Sequence, residues 1–335
     1  MREKLLKIGK VSEKLLNRWI FAAGNYQRAE VLQGPALGED CAAVELAPDE
    51  IMILSTDPIT ATEENIGYLA VHVTLNDLAA AGAEPIGLMV TVLLPPEYPE
   101  SSLESLLTEL RQSMSGQQLA ILGGHTEVTD AVNRVIISVT GVGKITREKV
   151  LLNKEIKAGD QIVMTKYAGL EGTSILAKAK AEELAKELNA DFLKRAADLD
   201  QLISVLPESR VAMADARIRL KAMHDVTEGG VLGALWEISG KAGKGLAVDL
   251  EKVPILQETI EITEFFDLNP YKLISSGSML MIAENGELLV RKLVDAGIPA
   301  AIIGELTDSK ERIVVYAGVR QAILPPEGDE LYKIM

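Results

Sequence analysis

The sequence has a single cysteine, Cys41, among 335 residues. One thiol makes neither an internal disulfide nor a cysteine-based zinc site. Aromatic side chains are scarce at 4%, so any core must be built from Leu, Ile, Val, Ala and Met. Positive charge is also short, with 34 Lys and Arg against 49 Asp and Glu, a net charge of −15. No basic block interrupts that background. Phosphate backbones are held by clustered Lys and Arg, so a nucleic-acid partner is not expected. No stretch approaches the roughly 20 consecutive apolar residues that cross a bilayer. The opening "MREKLLKIGKVSEKLL" alternates charge with leucine and lacks the apolar segment of a signal peptide. Together these absences predict a soluble protein of the reducing cytoplasm, without membrane or nucleic-acid partners.

What is present is an ordinary globular composition, 47% apolar. The length exceeds one typical core and predicts two domains, 1–152 and 153–335, with the boundary in the region 150–156. In the first, "MILST" (52–56) reads as a strand and "ENIGYLAVHVTLNDLAAAGAEP" (64–85) as a largely buried helix stopped by Gly82 and Pro85. "IGLMVTVLLP" (86–95) is a buried strand, and "SSLESLLTELRQSM" (101–114) an amphipathic helix after a serine cap. "LAILGG" (119–124) and "RVIISVTGVG" (134–143) are strands. In the second, "KAGDQIVMTKYAG" (157–169) is a turn and strand, and "EGTSILAKAKAEELAKEL" (171–188) one helix. Helical pattern covers roughly 190–216. Next come a helix at 230–243, strands at 276–284 and 298–306, and a helix at 286–297 between those strands. The fold class is mixed α/β.

The polar residues that interrupt this pattern are the candidates for chemistry. Asp40 follows Gly38 in a turn, and Asp57 closes the strand "ILSTD", where α/β folds place their chemistry. Asp77 shares a helix face with Leu69 and Val73 at i, i+4, i+8, beside the neutral Asn76. A carboxylate on an apolar face is costly to bury unless paired or bound to a cation. Each aspartate alone also fits a cap, a turn or a solvated position. Three within 40 residues favour a site, since carboxylates plus a phosphate-bearing ligand hold magnesium.

"LGGHTEV" (122–128) reads as a Gly-Gly turn after a strand. Gly123 and Gly124 allow close backbone approach, and His125, Thr126 and Glu127 supply polar groups. "MHDVTEGGVLGALWEIS" (223–239) puts His224 and Asp225 ahead of Gly229, Gly230 and a helix, where free N–H groups favour an anion. Simple capping by Asp or Thr is the alternative there. "GVGKIT" (141–146) fails the spacing of a P-loop, and there is no H-E-x-x-H and no G-x-S-x-G.

Taken in order, "GEDCAAV", "STD", "NDLAAAGAEP", "GGHTE", "KAGDQIVMT", "HDVTEGG" and "SSG" resemble the AIR synthase superfamily, and within it HypE-like hydrogenase-maturation proteins. The resemblance runs almost end to end. It implies an N-terminal α/β domain that pairs with a second copy to form a shared β-barrel, and a C-terminal α/β domain beside it. It implies ATP and Mg²⁺ as cofactors, and an unidentified small-molecule or protein acceptor. By motif, Asp40, Asp57 and Asp77 become metal residues. Gly38, Asn76, Gly123 to Glu127, Gly229 and Gly230 become ATP-binding residues, and His224 and Asp225 catalytic ones. Cys41 becomes a bystander to Asp40.

Two departures accompany the resemblance. His125 stands where relatives usually carry Asp. The sequence also ends "GDELYKIM", without the C-terminal cysteine that HypE modifies. The implied activity is ATP-dependent phosphorylation of an oxygen on an acceptor, either as product or to activate an amide oxygen for departure. The alternative is an accessory or maturation protein that binds ATP and a protein partner without modifying itself.

Overall fold

The computed structural model describes residues 4–20, 25–36, 39–59, 65–151 and 154–335. Gly38 lies outside them. The chain forms two compact units, one of Met1–Leu78 with Ala83–Val150, the other of Ala79–Gly82 with Leu151–Met335.

The first unit contains β1 (Gly9–Lys10), α1 (Glu13–Trp19), β2 (Val31–Gln33), β3 (Ala43–Val44), β4 (Glu50–Ile59), α2 (Ile66–Ala80), β5 (Glu84–Leu94), α3 (Glu100–Gly116), β6 (Ala120–Val128) and β7 (Ile136–Thr146). Five strands make one sheet in the order β1-β6-β5-β7-β4. β5 runs parallel to β6 and antiparallel to β7. Leu88, Val90, Val92 and Leu94 of β5 face the core, while Met89 on its other face is 40% exposed. Helix α3 shows the alternative pattern: Leu103, Leu106, Leu107, Leu110 and Met114 form one buried stripe at helical spacing. These leucines, Leu75 and Leu78 of α2, and Ile137 and Val139 of β7 share one core. Each fully buried leucine contributes about 2 kcal/mol of transfer free energy.

The second unit contains β8 (Gln161–Thr165), α4 (Leu170–Ala179), α5 (Ala181–Leu184), α6 (Ala190–Ala197), α7 (Leu206–Ala214), β9 (Leu220–Val226), α8 (Gly230–Ala242), β10 (Gly245–Asp249), α9 (Gln257–Phe265), β11 (Ser278–Ala283), α10 (Gly286–Asp295), β12 (Ala300–Thr307), β13 (Arg312–Tyr316) and β14 (Val319–Ala322). Its seven-stranded sheet has the order β14-β13-β10-β12-β8-β11-β9. β11, "SMLMIA", is buried at every position and lies between β8 and β9. α8 covers one face of the sheet through Val231, Ala234, Leu235 and Ile238. α10 packs on the other through Leu289 and Leu293.

Several expectations shift in detail. The buried helix ends at Ala80 rather than 85, and Pro85 lies inside β5. α3 starts at Glu100 with no side-chain cap, so the serine cap is not used. The helix expected over 171–188 breaks at Lys180, where the exposed Ala181, Glu182 and Glu183 have nothing to pack against. The Gly-Gly turn at 123–124 is not a turn: both glycines sit inside β6, beside a register shift in its pairing with β5.

Candidate functional site: a cavity beside strand β6

A cavity of about 350 Å³ in the first unit gathers Asp40, Gly123, Gly124, His125 and Thr126 in its wall. Gly124 is required there by sterics. Its φ is +150°, and a Cβ at this position would lie 1.9 Å from the Val90 carbonyl oxygen. The bare backbone lets β6 pass its neighbour and leaves a lining with no side chain at that point. His125 and Glu127, two apart on one face of the strand, form a pair with Nε2 and Oε2 3.1 Å apart. Thr126, on the alternate face, is 8% exposed.

The opposite wall of the cavity is apolar. It is built by Leu16 and Trp19 of α1 and by Leu107, Leu110 and Met114 of α3. Lys10 and Arg111 bring positive charge to the lining. Among the described residues Arg111 has no carboxylate partner, whereas Arg18 is paired to Glu104 at 2.6 Å. Cys41 is exposed and also lines the cavity, next to Asp40.

Asp57 and Asp77 lie elsewhere in the unit. Ile53 and Ile59 of β4 pack against the core. Strand alternation therefore puts Ser55 and Asp57 on that same face, toward the helices. The Ser55 hydroxyl donates to an Asp77 carboxylate oxygen. Asn76 is 1% exposed. Asp57 and Asp77 thus belong to one layer between β4 and α2, while Asp40 belongs to the cavity. Among the described residues no three His, Cys, Asp or Glu side chains converge as a metal site. Two carboxylates are nevertheless a fitting donor set for magnesium, which binds through one or two of them plus phosphate oxygens.

In the second unit, His224 and Asp225 are neighbours in β9 and so project to opposite faces of the sheet. The His224 Nε2 lies 2.7 Å from Glu237 on α8. Asp225 is 5% exposed. Gly229 and Gly230 have φ values of +76° and +60° and open α8. A Cβ on Gly230 would come 2.6 Å from the Leu273 carbonyl oxygen. The Gly229 N–H is already answered: it donates to Asp329 at 2.7 Å. Around it lie Glu228, which accepts from the Tyr332 hydroxyl, and the buried Glu171. Burial raises the carboxyl pKa of both Glu171 and Asp329, and the bond to Glu228 pushes the Tyr332 phenol up to about 12.

Asp329, Trp19 and Arg111 were not among the residues singled out by motif. Asp329 is 100 residues from Gly229, so no local pattern reveals their contact. Arg111 falls four residues after Leu107 and three before Met114, on the flank of α3's apolar stripe. That position is the one available signal.

The comparisons with known proteins agree with this architecture. The family model of AIR synthase related proteins matches in both halves, its N-terminal domain over residues 38–145 and its C-terminal domain over 157–317. The chain belongs to this family. It is 28% identical to a putative hydrogenase expression/formation protein of Methanocaldococcus jannaschii over 97% of each chain. It is 26% identical to the carbamoyl dehydratase HypE of Escherichia coli, over 96% of this chain and 93% of that protein. The crystal structure of E. coli HypE superposes with a TM-score of 0.79 at 23% identity, covering 95% of this chain and 98% of that one. A second HypE structure, a complex with ATP, gives a TM-score of 0.74 at 23% identity, covering 87% and 89%. The two-domain AIR-synthase-like α/β fold is therefore established. No helix of the described residues is long and apolar enough to cross a membrane.

Proposed function

We propose that this protein uses ATP to activate a carboxamide oxygen on a separate acceptor, converting it into a phosphate leaving group. The observation that carries the reading is the cavity in which Asp40 and the glycine-bearing run Gly123–Thr126 meet. It is supported by the end-to-end similarity to proteins named carbamoyl dehydratase, one of whose structures is a complex with ATP. Gly124 brings bare backbone to the phosphates, His125 offers a hydrogen-bonding group where relatives usually carry a carboxylate, and Thr126 offers a hydroxyl. Asp57 and Asp77, which share one layer, are the pair that would hold Mg²⁺, and Asp40 in the cavity wall would face the phosphates. The ion would neutralise phosphate charge as the oxygen leaves. No protein nucleophile is needed, so Cys41 has no assigned part in the chemistry. Asp225, on the buried face of β9, is our second-unit candidate for an acceptor contact, and His224, held by Glu237, is a positioning residue.

We assign a homodimer to the protein on a separate observation. One face of β4 is uncovered, with Met52 43% and Leu54 60% exposed, and Met89 of β5 40% exposed. A second copy laid against this face would close the barrel. Leu54→Asp then gives a monomer in sedimentation, and an unchanged dimer would remove this assignment.

The activity is tested by ADP release from ATP and Mg²⁺ with a panel of carbamoyl and carboxamide acceptors. Turnover that needs an acceptor, and that Asp57→Asn reduces by about 100-fold, is the expected result. ATP binding without turnover for any acceptor would overturn it in favour of an accessory protein that binds ATP and a partner.

A further inference from the structure

The wall of Leu107, Leu110 and Met114 offers phosphates no hydrogen-bond donor, so it suits a different part of a ligand. Trp19 ends α1 there, its ring 6.0 Å from the Arg111 guanidinium and 5.0 Å from that of Arg18. Arg18 is spent on Glu104. Arg111 is not committed to any carboxylate among the described residues, in a protein with 49 acidic side chains to choose from. The Trp19 indole Nε1 is buried and has no acceptor among the described residues. A large aromatic face, a neighbouring guanidinium and walls of Leu107, Leu110 and Met114 form a surface on which a flat heteroaromatic ring stacks.

We propose that Trp19 and Arg111 form the base-binding end of the cavity, taking the heteroaromatic base of the nucleotide whose phosphates lie toward Gly124. This rests on the reading of the cavity as a nucleotide site. It adds two specificity residues, both on helices outside the glycine and aspartate motifs. Stacking uses the π face of the base and the delocalised charge of Arg111, so a lysine at 111 would not replace it.

The chain has two tryptophans. The second, Trp236, lies under Arg312 in the other unit and is removed by Trp236→Phe. In that variant, indole emission comes from Trp19 alone. Titration with ATP should quench it, while inorganic tripolyphosphate, which has no base, should bind without quenching. Arg111→Ala should weaken ATP about three- to thirtyfold and leave tripolyphosphate affinity unchanged. Calorimetry run alongside separates the two ways of failing. Heat of ATP binding with unaltered Trp19 emission, or an equal loss of ATP and tripolyphosphate affinity in Arg111→Ala, overturns the stacking subsite and leaves the nucleotide site standing. No heat with ATP or with tripolyphosphate overturns both.

Discussion

Two glycine pairs, Gly123-Gly124 in the first unit and Gly229-Gly230 in the second, look alike in the sequence and end in opposite conditions. At the first, a bulged strand lines a cavity of about 350 Å³ that also holds Arg111, which has no carboxylate partner among the described residues. At the second, a cavity of about 290 Å³ also lies against the helix start, but its backbone donor is already taken: the Gly229 N–H donates to Asp329, and Tyr332 is tied to Glu228. The lesson concerns what makes a glycine turn a binding site. Backbone donors favour an anion only if the fold has not already supplied one. Asp329 supplies it at α8, so a phosphate arriving there would have to displace a carboxylate.

The sharpest way to break this comparison is Gly124→Ala. A Cβ placed 1.9 Å from the Val90 carbonyl oxygen cannot be accommodated without parting β5 from β6. The variant should melt roughly 10 °C lower in calorimetry and lose nucleotide binding, the largest effect expected of any single change discussed.

Asp329→Ala addresses the other member of the pair. It strips the carboxylate from the N–H groups of Gly229 and Leu331. Thermal unfolding should show a loss of about 1–2 kcal/mol. ATP affinity should stay where it was, and a tenfold gain would mean that α8 is a nucleotide site held shut.

Glu171→Gln gives a smaller effect of opposite sign. Burial raises the Glu171 pKa above its ordinary value of 4.5. A raised carboxyl pKa contributes stability that is full below the unfolded value and is lost as pH rises through the folded one. Glutamine removes that loss, so the variant should melt a few degrees higher than the parent at neutral pH and show no advantage at pH 4.

Glu30 in the first unit shows the reverse linkage. A hydrogen bond from Arg28 holds its pKa down to about 2, against 4.5 ordinarily. Its contribution is complete above 4.5 and is lost as pH falls toward 2. Glu30→Gln should therefore flatten the acid limb of the stability curve between those values. Only 16% of the Glu30 side chain is exposed, but the variant leaves Arg28 paired with Glu84 and Lys144 with Glu50, which makes this the smallest of the four changes.

The α/β class was legible because the buried elements carry strong patterns: the largely apolar β5 and β11, and the leucine stripe of α3. Short or edge elements such as β1, β2 and β14 carry too few residues to show a period. The Gly123-Gly124 segment was read as a turn because two glycines are turn residues in isolation. Only the neighbouring strand, which needs bare backbone at Gly124, reveals a bulge. Asp40 and Gly123 to Thr126, which line one cavity, were joined only by the family resemblance, because their own residue pattern groups Asp40 with the other two aspartates. The separation of Asp57 and Asp77 from the cavity was not legible, because which face of a sheet a carboxylate occupies depends on register. Asp329 escaped for the reason that long-range contacts usually do, since nothing local marks a partner 100 residues away.

Hydrogen exchange read by mass spectrometry, with and without ATP and Mg²⁺, tests the central comparison most directly. The account predicts slowed exchange in residues 120–128 and 103–114, around the cavity, and no change in residues 226–233. Slowed exchange at 226–233 with none in β6 or α3 would contradict it.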